Sequence, residues 1–242
     1  MRAAVVIPAR HASSRFPGKP LVKLLEKPMV LWVADLSSVA VGVENVYVAT
    51  DSKRIADVVE SAGYSAVITS SDALTGTDRL AEVVGQIDAD IYVNVQGDEP
   101  MVDPKDICRV IAEKQAHMDM VVNAYCDISS EEDPLNINIP KVVVSESQKL
   151  LYMSRAAVPG SKSGSQSHTN FQKQVCIYAF TGEELMAFRS FGRKSELESF
   201  EDIEILRFFE LNKEILMIEV QGGSLAVDVP DDVAKVERAL RL

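Results

Sequence analysis

The chain has 242 residues, 47% of them apolar and 25% charged, with a formal net charge of −11. That balance supplies one sizeable globular core and excludes a disordered chain. It argues against a nucleic-acid or anionic-membrane binder, because phosphate surfaces attract net positive charge, and no apolar run reaches the roughly 18 residues of a membrane span.

In chain order, the apolar run Ala3–Ile7 reads as a buried strand, followed by the loop Pro8–Lys19. Met29–Val39 reads as a helix and Val46–Ala49 as a strand ending in Thr50-Asp51, a helix cap. Residues 52–62 form a helix closed by Gly63. Ala66–Ile68 is a third strand, Asp78–Gln86 a helix, Ile91–Val95 a fourth strand, 104–116 a helix and Met120–Ala124 a fifth strand. Strictly alternating strands and helices point to an α/β fold, a doubly wound, mostly parallel sheet with helices on both faces. Uninterrupted Val/Ile runs suit strands buried on both sides.

The second half is less regular. Lys141–Val144, Leu150–Met153, Val175–Phe180 and Ile215–Val220 read as strands, and Ser161–Thr169 as a Ser/Gly-rich loop. Leu197, Phe200, Ile203 and Leu206 recur every three residues, which predicts one helix over 197–211. Pro230–Leu240 reads as a closing helix with proline in its first turn. No linker separates independent units, so a single domain over 1–242 is expected. The apolar start breaks at Pro8-Ala9 and Arg10, unlike a secretory leader, and Cys108, Cys126 and Cys176 show no metal spacing. Both features favour a cytoplasmic chain with reduced thiols.

Ligands of open α/β sheets bind outside the carboxyl ends of the strands. The first such stretch, Ile7-Pro8-Ala9-Arg10-His11-Ala12-Ser13-Ser14-Arg15-Phe16-Pro17-Gly18-Lys19-Pro20-Leu21, is basic. Residues 1–25 hold five basic side chains and no acidic one. A positive loop on an acidic protein suits a small polyanion, with Arg10, Arg15 and Lys19 as its charges, although an exposed basic loop has the same pattern. Asp98 and Asp228, each at an expected strand end, offer hard oxygens for Mg2+ shared with substrate phosphates. A turn aspartate at 98 and an Asx-type cap before Pro230 fit the same residues. P-loop and GxGxxG patterns are absent from the sequence, as are metal-type spacings of His11, His117 and His168.

Taken together, that first stretch, Gly76-Thr-Asp-Arg-Leu80, Val93-Asn-Val-Gln-Gly-Asp-Glu-Pro100, Ser154-Arg-Ala-Ala-Val-Pro159 and Val227-Asp-Val-Pro-Asp-Asp232 resemble the 3-deoxy-manno-octulosonate (Kdo) cytidylyltransferases. The resemblance runs almost end to end. It implies a Rossmann-like, three-layer nucleotidyltransferase fold with a smaller sugar-binding and dimerisation part, and a homodimer. It implies transfer of CMP from CTP to a Kdo-type sugar acid with release of pyrophosphate, for lipopolysaccharide assembly, with Mg2+ as cofactor. On that basis residues 1–125 are mainly the nucleotide half, 126–220 the sugar and dimer half, and 221–242 the second metal acid and closing helix. Pro8, Ala9, Arg10, Ser13, Arg15, Lys19, Thr77 and Arg79 would bind the nucleotide, with Lys19, Arg15 and Asp98 catalytic. Gln96, Arg155, Gln174, Tyr178, Glu198 and Glu201 would line the sugar side, and Asp98 and Asp228 would hold the metal.

The chain departs from the family pattern at Gln174, where a sugar-contacting His is usual, and at Ile205, where the pattern has Gln. Both lie on the sugar half, which opens 8-amino-Kdo or another ulosonic acid as the substrate. Glu198 and Glu201 share a helical face by spacing, and a solvated acidic face extended by Asp202 and Glu204 fits them as well. A nucleotide-binding protein without turnover is the reading from another class.

Overall fold

The computed structural model describes residues 1–12, 16–130, 132–162 and 171–241. The first half alternates as expected. β1 (Ala3–Ala9) leads through a tight β2–β3 hairpin (Lys23–Leu24 and Lys27–Pro28) to α1 (Met29–Val41). Then follow β4 (Val46–Thr50), α2 (Lys53–Ser61), β5 (Ser65–Ile68), α3 (Gly76–Val83), β6 (Ile91–Val95), α4 (Pro104–Ala116) and β7 (Val121–Asp127). The second half contains β8 (Lys141–Val144), β9 (Leu150–Ser154), β10 (Gln172–Phe180), α5 (Gly182–Ser190), α6 (Glu196–Glu201), α7 (Arg207–Glu210), β11 (Ile215–Glu219) and α8 (Asp232–Ala239).

The main sheet runs β11-β7-β10-β6-β1-β4-β5, and the β8–β9 hairpin extends it from β10. β1 pairs in parallel with both β4 and β6. β10 runs antiparallel between β6 and β7, with a register shift between Val175 and Tyr178. Its antiparallel insertion between the fourth and fifth expected strands is a long-range pairing that no local pattern encodes.

Each central strand serves two cores. In β1, Val5 and Ile7 join the cluster under α1, α2 and α4. Ala4 and Val6 point the other way, into the cluster with Leu80, Leu185, Phe188 and Phe208. Alternate side chains emerge on opposite faces of a strand, so burial on both faces makes every position apolar.

Two expectations need correction, and one helix was not expected. The single helix over 197–211 is broken: α6 ends at Glu201, Asp202 adopts a left-handed φ of 50°, and a 3-10 turn over Glu204–Leu206 leads into α7. Three-residue spacing drifts around an α-helix, and Phe200 is 81% exposed rather than in the core. The Ala226–Val229 run is not a strand but a loop, tied down by the Val227 N–H donating to the Asp98 carbonyl at 3.0 Å. α5 escaped the pattern reading, although Thr181 and Glu184 form a complete capping box at its start.

Candidate active site

β4 lies on one side of β1 and β6 on the other, so the chain direction across the sheet reverses beside β1. Beyond the carboxyl ends of β1 and β6 opens a cavity of about 940 Å³. The loops after these strands approach closely, and a Cβ at Gly97 would stand 3.0 Å from the Pro8 carbonyl oxygen. A side chain there would press on the Pro8 backbone.

Pro8, Arg10 and Lys19 line the cavity from the first loop. Gly18, at φ 71°, turns the chain into the short 3-10 helix that carries Lys19, and its N–H closes the loop onto the His11 carbonyl at 3.1 Å. The Lys19 ammonium stands 2.7 Å from Asp98 Oδ2 and 3.4 Å from Asp228 Oδ1. Asp232, not Asp228, accepts the Asp228 and Val229 N–H groups at 2.8 and 3.0 Å. The loop is thereby capped by Asp232, and the Asp228 carboxylate stays turned to the cavity. Ser13 and Arg15, like His168 and most of the Ser/Gly-rich loop, fall outside the described residues.

The opposite wall begins at α3. Thr75 caps this helix, accepting the Asp78 N–H at 3.1 Å, and Thr75 and Gly76 line the cavity. Thr77 and Ala9 are buried behind the wall. Arg79 reaches the cavity edge, but its guanidinium is held by Thr69, by the Ser70 carbonyl at 3.2 Å and by Asp51 at 3.3 Å. Asp51 also accepts the His11 N–H at 3.2 Å. The expected helix cap is thus a tie between the first, second and third strand-end loops, while Ser52 stands at the N-cap of α2.

The remaining wall comes from the β6 end and the second half. Gln96, Arg155, Gln174, Tyr178 and Glu198 all line it, whereas Glu201 does not. Glu201 is consumed by the β9 end: it accepts from Tyr152, Ser154 and the Arg155 N–H at 3.1, 2.7 and 2.8 Å. Despite partial burial, these bonds hold its carboxyl below the ordinary range. The Arg155 guanidinium braces itself on the Glu201, Ile137 and Asp202 carbonyls, which leaves part of its fork for a ligand. Gln174 donates to Asn123 Oδ1 at 3.0 Å. Ile205 is in the core and does not touch the cavity.

Glu198 is also largely spoken for, by the Ser195 N–H at 2.9 Å and by Arg207. The carboxylate offered to the cavity from this segment is Glu204. It accepts from Gln96 Nε2 at 3.0 Å and from the Thr77 N–H at 3.0 Å, beside the positive end of α3. Its spacing suggested only an extension of an acidic face, because the turn that aims it inward arises from the helix break. Glu99 was not anticipated either. It lines the cavity only partly exposed, and desolvation by the surrounding protein followed by the Asp98 charge raises its carboxyl to about 7. Burial likewise raises Glu204, and raises the Tyr178 phenol well above its ordinary value.

Among the described residues no group of three or more His, Cys, Asp or Glu side chains is arranged to hold a metal. Asp98 and Asp228 nonetheless share one cation, the Lys19 ammonium, so their oxygens converge on a point of positive charge. Two hard carboxylates suit Mg2+ when substrate phosphates and water complete its shell.

Residues 4–215 match the family model described as cytidylyltransferase. The chain belongs to the cytidylyltransferase family. It is 38% identical to a 3-deoxy-manno-octulosonate cytidylyltransferase of Syntrophotalea carbinolica, over 100% of this chain and 99% of the relative. It is 37% identical to an 8-amino-3,8-dideoxy-manno-octulosonate cytidylyltransferase of Shewanella oneidensis, over 99% of each. Among solved structures, a CMP:2-keto-3-deoxy-manno-octonic acid synthetase complexed with CTP superposes with a TM-score of 0.90 at 35% identity, covering 100% of this chain and 99% of the other. This cytidylyltransferase chain therefore matches such enzymes over its whole length and overall fold. No helix among its described residues is long and apolar enough to cross a membrane.

Proposed function

We propose that the protein transfers CMP from CTP to the anomeric hydroxyl of Kdo or a Kdo-like 2-keto sugar acid, releasing pyrophosphate. The observation that carries this reading is the Lys19 ammonium bridging Asp98 and Asp228 at the sheet's switch point, facing a wall that bears Gln96, Glu204 and Arg155. One side of the cavity offers cationic charge for a triphosphate. The other offers hydrogen-bond acceptors for hydroxyls and a guanidinium for a carboxylate.

In this reading Pro8, Ala9, Arg10, Ser13, Arg15, Lys19, Thr77 and Arg79 form the nucleotide side, with Thr77 and Ala9 acting from behind the wall. Lys19 and Arg15 neutralise charge as pyrophosphate departs. Asp98 and Asp228 would hold Mg2+, which would polarise the α-phosphate and lower the pKa of the attacking hydroxyl. Gln96, Gln174, Tyr178 and Glu204 orient the sugar, Arg155 receives its carboxylate, and Glu198 and Glu201 hold that wall in shape. Alignment of hydroxyl and phosphorus supplies the rest, since such transfer needs positioning more than covalent help.

Residues 1–125 then serve mainly the nucleotide, 126–220 the sugar and a second copy of the chain, and 221–242 the metal acid and closing helix. Dimerisation is supported by large apolar side chains left exposed on the second half: Leu135, Ile137, Leu151 and Phe200. A cytoplasmic setting is supported by three free thiols and a CTP substrate.

The sugar is Kdo or its 8-amino analogue, and relatives of both kinds match almost equally. Pyrophosphate release with CTP and a panel of Kdo, 8-amino-Kdo and N-acetylneuraminate tests the proposal. Release is expected with one of the two octulosonates and not with CTP alone. Absence of release with all three sugars refutes transfer to Kdo or its 8-amino analogue.

A further inference from the structure

Arg207 is fully buried, three residues beyond Glu204. Its guanidinium meets two carboxylates from different elements. Nη1 and Nη2 donate to Asp78 Oδ1 and Oδ2 at 2.8 and 3.0 Å. Nε and Nη2 donate to Glu198 Oε2 and Oε1, both at 2.7 Å. The Phe188 ring covers one face at 3.7 Å, and the Phe188 carbonyl accepts from Nη1 at 3.4 Å.

The three groups join the two walls of the cavity. Asp78 belongs to α3 and accepts at 2.8 Å from Thr75, which lines the nucleotide side. Glu198 belongs to α6 and caps it through Ser195. Such a triad is weak evidence for stability, because apolar groups of equal volume stabilise a core as well or better without the desolvation cost. Its geometry has a consequence that apolar packing lacks. In an unbroken helix, Glu198 and Arg207 would lie about half a turn apart in angle and about 13 Å apart along the axis. They meet only because the chain leaves α6 at Asp202 and returns through the 3-10 turn that carries Glu204.

We propose that Arg207 is a positioning residue: by clamping Asp78 and Glu198 together, it folds the 202–207 turn against the start of α3 and so holds the Glu204 carboxylate on Gln96 and the Thr77 N–H. Its link to sugar binding rests on the function proposed above. Lysine does not reproduce it, since an ammonium lacks the planar fork that pairs with both oxygens of each of two carboxylates at once.

Arg207→Lys tests the clamp in two independent ways. Hydrogen exchange of the Thr77 amide should quicken at least tenfold, while amides late in α3 keep their protection. In pyrophosphate release, the KM for the sugar acid should rise at least tenfold, with kcat and the calorimetric Kd for CTP within threefold. Because both residues act through one carboxylate, Arg207→Lys combined with Glu204→Ala should match Glu204→Ala alone within twofold. If Arg207→Lys does not fold, Glu198→Gln, which keeps the side chain's shape, should show the same exchange and KM pattern. Unchanged Thr77 exchange in a folded variant overturns the inference, as does an equal loss of CTP affinity or a fully additive double variant. Failure of the wild-type protein to use any sugar overturns the proposed function instead, and the exchange measurement still decides the clamp.

Discussion

Lys19→Ala removes the cation between Asp98 and Asp228. Its ammonium makes contacts of 2.7 and 3.4 Å, and the Lys19 side chain is only 16% exposed. Charge-assisted bonds of this kind contribute about 1.5–3 kcal/mol each when shielded. The two acids are 26% and 35% exposed, so solvent screens part of that gain. A folding loss of about 1–2 kcal/mol results, or roughly 2–8 °C in Tm for a domain of this size. On the proposed function the catalytic loss is larger, because the same ammonium would also neutralise the charge that develops on the leaving pyrophosphate. About 3 kcal/mol there lowers kcat/KM by on the order of a hundredfold or more. Pyrophosphate release under subsaturating CTP measures the second quantity, and thermal unfolding in metal-free buffer the first. Mg2+ should raise Tm more in the variant than in the wild type, since two carboxylates then lack a counter-ion. A variant with kcat/KM within fivefold of wild type and an unaltered Tm in metal-free buffer would refute the assignment of Lys19 to the triphosphate and of the two acids to one cation.

Two further outcomes concern ionisable groups in protected positions. Lys114→Met strands Glu184, whose carboxylate receives the Lys114 ammonium at 2.8 and 2.9 Å with both side chains essentially inaccessible, and should cost about 3–5 kcal/mol by chemical denaturation. A loss below about 1 kcal/mol would show that the pair is solvated. For Glu99, burial raises the folded pKa to about 7 from an ordinary 4.5, so the native chain retains a proton that the unfolded chain releases. That contribution to stability is complete below pH 4.5 and fades as pH rises to about 7. Denaturation of Glu99→Gln in metal-free buffer should lack this decline and be more stable than wild type at pH 8; parallel pH profiles would contradict the shift.

Much of the architecture was legible because it is local. Val5, Ile7, Val93 and Val95 announce strands buried on both faces, and Gly63 closes α2 with a φ of 88° that suits glycine. The loop after the first strand stood out by charge and turn residues, and Asp98 and Asp228 by their places at expected strand ends, although the segment before Asp228 is a loop and not a strand. β10 was legible as a strand but not as an antiparallel one, since the direction of pairing depends on segments far apart in the chain. The small hairpin before α1 turns on Leu25 and Glu26, both at positive φ, and neither residue type signals such a turn.

The acidic residues of the second half mark the limit most sharply. The sequence reading placed Glu198 and Glu201 on the sugar side and Glu204 only in an acidic face extending from them. In the folded chain Glu198 lines the cavity but is clamped by Arg207, Glu201 braces the end of β9, and Glu204 lines the cavity on Gln96 and Thr77. Likewise Asp51, a helix cap by pattern, ties Arg79 to the first loop, and Asp232 takes the capping role that left Asp228 beside Lys19. Sequence alone determined which segments are buried, where the strands end and which charges gather after the first of them, because hydrophobic period and turn chemistry act over a few residues. Only the tertiary structure decided which carboxylate faces the cavity and which braces the scaffold, because that depends on hydrogen-bond donors brought in from as far as 127 positions away.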